Sequence, residues 1–240
     1  MRILVTNDDG INSEGLKLLA KTAKKYGDVI VIAPLKEQSA KSQALNIKHG
    51  FSYQRINHFL EDIEAYAVDS TPADCVRFAT YFLRDEFTLV LSGVNNGFNL
   101  GEDILYSGTV GAASEGVMSG KKAIALSTKP HDFSGAERDL EKVLDYVIEK
   151  LLPQGDFFNV NIPVLAVGIK LTKQGSTHFS TVFLEEGREV FQRGKPNFHL
   201  DEETQDSDVY AIYENYISIT PLSVDRTDYR VFDTIKKSNN

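Results

Sequence analysis

The chain has 240 residues, 42% hydrophobic and 25% charged, the balance of a globular protein large enough for one sizeable core. A net charge of −8 argues against a protein that coats nucleic acid, which needs a basic face, but not against a small phosphate ligand whose charge a metal ion meets. The single cysteine, Cys75, excludes an intrachain disulfide, and no run approaches the ~20 apolar residues of a membrane span.

The first strand, residues 2–7, is apolar and runs straight into Asp8-Asp9-Gly10. No apolar leader precedes it, so a cytoplasmic location is expected. Ser13 then caps a helix over 14–26, with Leu16, Leu19, Ala20 and Ala23 on its apolar face. Lys21, Lys24, Lys25 and Gly27 mark its end. A second strand, 28–33, stops at Pro34 and leads into the polar loop 36–42. Short strands are expected within 45–68, the last at 64–68. Thr71 and Pro72 start the next helix, with Asp74 closing a bond like that of a capping box. Cys75, Phe78, Ala79 and Phe82 share its buried face, which makes Cys75 a core residue.

A third buried strand, 88–92, enters the loop Gly93-Val94-Asn95-Asn96-Gly97. Beyond Ser107-Gly108-Thr109 comes a helix over 110–119, then a strand at 123–127. Ser134 and Glu137 form a capping box for a helix reaching 152, and a strand at 157–162 ends at Pro163. This alternation predicts an α/β fold with a Rossmann-like, doubly wound, mostly parallel sheet. Residues 1–165 are expected to form this Rossmann-like core. Residues 166–240 read as a β-rich extension and C-terminal arm of the same single domain, with strands at 168–173, 180–185, 188–193 and 208–220. Tyr210, Ile212, Tyr216, Ile217 and Ile219 are large for a peripheral segment and point to burial against a partner subunit. Residues 236–240 read as a frayed tail.

Three predicted strands are followed by Asp8-Asp9, by Ser39 and by Asn95-Asn96. If these strands are neighbours, the three segments meet at the sheet edge where open α/β folds bind ligands. Adjacent carboxylates repel one another without a cation. Carboxylate, hydroxyl and carboxamide oxygens select Mg²⁺ or Mn²⁺, or Ca²⁺, over zinc. His49, His58, His131, His178 and His199 have no zinc-type spacing with one another or with Cys75. Ser107, Gly108 and Thr109 open a small-residue helix whose N-terminus favours an anion, and the two hydroxyls can bond phosphate oxygens. Plainer readings stand beside these. Asp8-Asp9-Gly10 is also a turn sequence, Ser39 a solvated hydroxyl, Asn95-Asn96-Gly97 a left-handed bend, and Ser107 an ordinary cap. Neither a triphosphate-binding loop nor a G-x-G-x-x-G follows the first strand.

Together these residues resemble the SurE family of nucleotidases. The resemblance rests on ILVTNDDG (3–10), STPADCV (70–76), SGVNNGFNLGEDILYSGTVGAASEG (92–116) and NVNIP (159–163), with a weaker SDVYAIYENYISITPL (207–222). It implies that Asp8, Asp9, Ser39 and Asn95 bind one divalent ion per subunit, Mg²⁺ or Mn²⁺. It implies that Asn96, Ser107, Gly108 and Thr109 hold a substrate phosphate. The implied activity is hydrolysis of nucleoside 5′-monophosphates, extending in the family to 3′-monophosphates and short polyphosphate. The implied assembly is a homodimer or homotetramer that exchanges C-terminal elements, with neither nucleic-acid polymer nor membrane as partner. Glu14 stands where the family often has proline, Ser70 where glycine is common, and Ala40-Lys41 where a small Gly-Ala pair is usual.

The chemistry expected from this set is metal-assisted attack of water on a phosphomonoester. Asn96 and the amides of 107–109 would stabilise the equatorial oxygens, and Asp8 or Asp9 would orient or deprotonate the water. Two alternatives are a phosphatase working through a phospho-aspartate, whose Asp-x-Asp spacing is absent here, and a non-catalytic nucleotide-binding module.

Overall fold

Strand alternation sorts the apolar residues into two layers. In β1 (Arg2–Thr6), Ile3 and Val5 join one core and Leu4 the other. The first core packs against α1 (Glu14–Ala23), and the second receives Ile30 and Ile32 of β2 (Asp28–Pro34). The structure, a computed structural model, describes residues 1–60, 62–179, 181–194, 196–198 and 204–238.

The chain continues through β3 (Tyr53–Arg55), β4 (Glu64–Val68), α2 (Pro72–Arg77), β5 (Leu89–Asn96), α3 (Gly108–Met118), β6 (Lys122–Thr128), α4 (Ser134–Tyr146) and β7 (Phe157–Ile162). Then come β8 (Gly168–Leu171), β9 (Thr177–Phe179), β10 (Val182–Glu186), β11 (Glu189–Arg193), β12 (Pro196–Phe198), α5 (Asp208–Tyr213), β13 (Tyr216–Pro221) and α6 (Tyr229–Ser238). Among the described residues, nine strands make one sheet in the order β3-β4-β2-β1-β5-β6-β7-β13-β8. The six from β4 to β7 are parallel. β3 and β13 pair antiparallel to β4 and β7. α1 and α4 lie on one face and α2 and α3 on the other, the doubly wound arrangement expected. Strand order reverses at β1, so the crevice between β1 and β5 is the topological switch point.

The helix starts follow their side chains. Ser13 accepts from the Leu16 N–H, and Thr71 from the Asp74 N–H with Pro72 beginning α2. The Asp74 carboxylate is not reciprocal as a capping box would have it. It accepts from the Ser70 and Thr71 hydroxyls and the Asn46 N–H, tying the 42–46 loop to α2. Ser134 likewise does not cap α4. It is the first helical residue, and both its N–H and its hydroxyl donate to Asp132.

Several expectations are corrected. After α2 the helix widens into a π-helical stretch, Phe78–Leu83, which shifts the 3.6-residue period and leaves Phe82 60% exposed, stacked on Phe78. β5 does not stop at residue 92. After an irregular step it resumes pairing with β6 at Asn95 and Asn96, so both lie on the strand end. The span 208–220 is not one strand but α5 followed by β13. Ile217 and Ile219, expected against a partner, are buried in this chain's own core. The expected tail is helical through Ser238, while Asn239, Asn240, His199 and Ser180 lie outside the described residues.

Candidate functional site

β1 is followed directly by Asn7, whose side-chain amide donates to Gly10 O at 3.1 Å and Ser13 Oγ at 2.7 Å. That fixes the turn carrying Asp8 and Asp9. The Asp8 carbonyl accepts from the Gln38 N–H at 2.7 Å, which docks the loop after β2 against it. The Asp8 carboxylate is 5% exposed and meets the start of α3. Its Oδ2 accepts from the Thr109 N–H at 3.1 Å and its Oδ1 from the Thr109 hydroxyl at 2.5 Å. Gly108 makes this approach possible: a Cβ there would lie 2.8 Å from Asp8 Cβ and 2.9 Å from Oδ2. The positive end of the α3 dipole thus faces a protein carboxylate. Asp9 Oδ2 accepts from the Asn96 N–H at 3.0 Å, joining β1 to β5. The Asn96 Oδ1 accepts from the His131 N–H at 2.6 Å, which orients its carboxamide.

The site is electronegative. Burial, opposed chiefly by the Thr109 hydroxyl, pushes the Asp8 carboxyl from 3.8 up to about 6, with Asp9 adding to the rise. Burial also raises Asp9, with Glu37 contributing and the Asn96 N–H opposing. Among the described residues no lysine or arginine pairs with either carboxylate. Nor does any group of three or more His, Cys, Asp or Glu side chains among them suit a metal. An ion here would rest on two carboxylates completed by hydroxyl and carboxamide oxygens. Two hard anionic donors without a protein counter-charge fit Mg²⁺ or Mn²⁺.

Direct bonds bring together Asp8, Asp9, the Asn96 backbone and Thr109, with Gly108 in contact. Ser39 and Asn95 stand next to these contacts, but their side chains bond elsewhere. The Ser39 hydroxyl donates to Glu37 Oε1 at 2.6 Å, and the Asn95 amide donates to Gly97 O at 2.7 Å. Ser107 is the N-cap of α3, accepting from the Val110 N–H at 3.1 Å. The hydroxyls of Ser107 and Thr109 are therefore engaged within the protein. A cavity of about 320 Å³ flanks Ser107, lined by Ser42, Gln43, Ile104, Val110 and Leu222 among others. Sequence reasoning missed Glu37 and His131. Glu37 could have been flagged two positions before Ser39, whereas the backbone role of His131 leaves no sequence signal beyond a Pro130 turn.

The family model for "Survival protein SurE" matches residues 3–181. A "5'-nucleotidase SurE" of Clostridium beijerinckii is 38% identical over 254 residues, covering 99% of this chain and 98% of that protein. One from Alkaliphilus metalliredigens is 39% identical over 254 residues, covering 100% of this chain and 99% of its own. Among solved structures, the SurE protein of Aquifex aeolicus superposes with a TM-score of 0.82 at 32% identity, covering both chains completely. With its fold, its strand-end carboxylates and its full length matched, the chain belongs to the SurE family.

Proposed function

We propose that this protein is a divalent-metal-dependent phosphomonoesterase that converts nucleoside 5′-monophosphates to nucleoside and phosphate. The observation that carries the reading is the meeting of Asp8 and Asp9 with the Asn96 amide and the first turn of α3 at the sheet's switch point. Relatives named 5'-nucleotidase SurE, matching nearly end to end, support the substrate class.

Asp8, Asp9, Ser39 and Asn95 would hold one Mg²⁺ or Mn²⁺ per subunit. Such an ion polarises a phosphoryl oxygen and acidifies a bound water. The chain's own groups do the rest. Thr109 holds Asp8 in place through two bonds, and Asn96 N–H does so for Asp9. The His131 N–H occupies the Asn96 Oδ1, which leaves the Asn96 amino group as the end that would donate to a phosphate. The Thr109 and Val110 amides are taken by Asp8 and Ser107, so the Gly108 N–H is the helix-start donor left for a phosphate oxygen. The nucleoside would lie in the cavity beside Ser107. One of Asp8 and Asp9 orients or deprotonates the attacking water. Nucleoside 3′-monophosphates and short polyphosphate are further candidate substrates with the same terminal group.

The protein is also proposed to form a homodimer or homotetramer by C-terminal exchange. α6 exposes Tyr229, Val231, Phe232 and Ile235, and the β10–β11 hairpin exposes Val182, Phe183, Leu184 and Val190. Apolar surface of this extent is what subunit contacts cover. No helix of the described residues is long and apolar enough to cross a membrane.

The test is phosphate release from a panel of nucleoside monophosphates, with EDTA and then Mn²⁺ or Mg²⁺ added back. Release that stops with EDTA and returns with the metal supports the reading. Tight AMP binding without release in every metal favours a binding module instead.

A further inference from the structure

The sheet face that packs on α2 and α3 changes character toward the site. Near the start of the strands it is apolar, with Leu4, Val90, Ala123 and Phe157 in one core. Toward their ends the same face carries Ser92, Ser127, Asn159, Asn161 and Ser218, all fully buried. Over this polar patch runs the segment joining Asn96 to Ser107, irregular as far as Leu100 and then a 3₁₀ turn at Gly101–Leu105. Buried irregular backbone needs hydrogen-bond partners that no ladder supplies.

β7 supplies them. Asn159 and Asn161 are two apart and so point to the same face. Asn161 grips the backbone of Asn99 from both sides. Its Oδ1 accepts from the Asn99 N–H at 2.8 Å, and its amide donates to the Asn99 carbonyl at 2.9 Å. The Asn159 amide donates to the same carbonyl at 2.8 Å. The Asn99 side chain donates to Ser127 Oγ at 2.8 Å, beside the point where Asn95, Ser127 and Asn161 stand in register across three strands. Two residues on, Asp208 Oδ2 accepts from the Gly101 N–H at 3.1 Å and Oδ1 from the Gly175 N–H at 2.8 Å.

We propose that Asn159 and Asn161 are positioning residues for the reaction: they clamp Asn99 and so set both ends of its segment, the Asn95–Asn96 tip and the Ser107–Thr109 helix start. The inference rests on the function proposed above for those two ends. Asn99 is three residues from Asn96 and eight from Ser107, so a shift at the clamp moves the carboxamide and the helix start relative to Asp8 and Asp9. Two amides in the middle of a buried strand are costly unless satisfied. Of these, the Asn159 Oδ1 alone lacks a partner within the described residues, while both amide donors and the Asn161 Oδ1 are spent on the Asn99 backbone.

The full chain should be compared with Asn161→Leu and the milder Asn159→Ala, which removes one of the two donors to the Asn99 carbonyl. Ser218→Ala is the control. It sits opposite Asn161 on β13, is as deeply buried, and loses only a hydroxyl without a partner among the described residues. Amide hydrogen exchange over residues 97–107 should quicken by about tenfold or more in Asn161→Leu, less in Asn159→Ala and not in Ser218→Ala, with β1 and β6 unchanged. With Mn²⁺ and AMP, KM should rise in the same order, by about tenfold for the stronger variant. The proposal is overturned by unchanged exchange at 97–107, by equal quickening across the whole sheet, or by local loosening with wild-type KM and kcat. If the wild-type chain hydrolyses no phosphomonoester, the functional reading fails, and the exchange measurements alone decide whether the clamp exists.

Discussion

Thr109 holds Asp8 by two bonds, its N–H to Oδ2 at 3.1 Å and its hydroxyl to Oδ1 at 2.5 Å, so the first turn of α3 is fastened to the end of β1. A hydrogen bond to a buried carboxylate is worth about 1.5–3 kcal/mol. Thr109→Val keeps the size and the N–H but deletes the hydroxyl. It should weaken Mn²⁺ binding by about tenfold to a hundredfold, the usual cost of losing a partner behind a metal ligand. Thr109→Ser should restore most of it. Calorimetric titration of the apoprotein with Mn²⁺ checks both.

Gly108→Ala separates helix propensity from site geometry. Alanine favours a helix interior by about 1 kcal/mol over glycine. Here the new methyl would sit 2.8 Å from Asp8 Cβ and 3.2 Å from the Pro72 ring. Asp8 must therefore move. The expected outcome is a folded protein of lower thermal stability with turnover reduced by about tenfold or more, since small displacements of reacting groups cost that much. A stabilised, fully active Gly108→Ala protein contradicts the contact.

The raised Asp8 carboxyl makes the metal-free protein pH-sensitive. The folded state holds this proton more tightly than the unfolded chain does, about 6 against 3.8. The stabilisation from this group is therefore complete below pH 3.8 and is lost as pH rises through about 6. The full amount is on the order of 3 kcal/mol. A divalent ion competes with the same proton, so Mn²⁺ should stabilise strongly above pH 6 and weakly below it. Urea unfolding in EDTA and in Mn²⁺, from pH 4 to 8, reads both slopes. Asp8→Asn should flatten the slope seen in EDTA.

Much of this was legible in the chain because short-range chemistry dictated it. Ser13 and Thr71 cap the helices they were expected to cap. The apolar runs at 28–33 and 157–162 are parallel strands where expected, and the three site segments do belong to neighbouring strands, with Asp8-Asp9 and Ser39 beyond β1 and β2 but Asn95-Asn96 on the end of β5 itself. What escaped was set by packing across the fold. Val209 and Ala211 alternate like a strand, yet Ser207 caps them into α5 by accepting from the Tyr210 N–H. Six residues are too few for periodicity to separate helix from strand. Asn159 and Asn161 looked like part of a buried strand, because their partner, Asn99, lies about 60 positions away in sequence. The Ser107 cap was already among the plainer readings of the sequence, whereas the engaged Thr109 hydroxyl could not be told from a free one without knowing that Asp8 meets α3.

The exposed face of α6 gives the assembly a direct check. Truncation after Asp225 removes Tyr229, Val231, Phe232 and Ile235 while leaving β13 and both cores intact. Sedimentation should change from a dimer or tetramer for the full chain to a smaller species for the truncated one. A full-length monomer at micromolar concentration contradicts the proposed exchange.

Asp8 and Asp9 would together anchor the ion on which phosphomonoester hydrolysis depends. The most direct measurement is phosphate release from AMP by Asp9→Asn, with Mn²⁺ supplied well above its dissociation constant and the fold checked by circular dichroism. Asparagine keeps the shape and an oxygen for the Asn96 N–H but removes the charge. If Asp9 anchors the ion, turnover falls by about a hundredfold to a thousandfold, the scale of losing one electrostatic contact at a reacting centre. Near-normal, EDTA-sensitive turnover in a folded Asp9→Asn protein would contradict it.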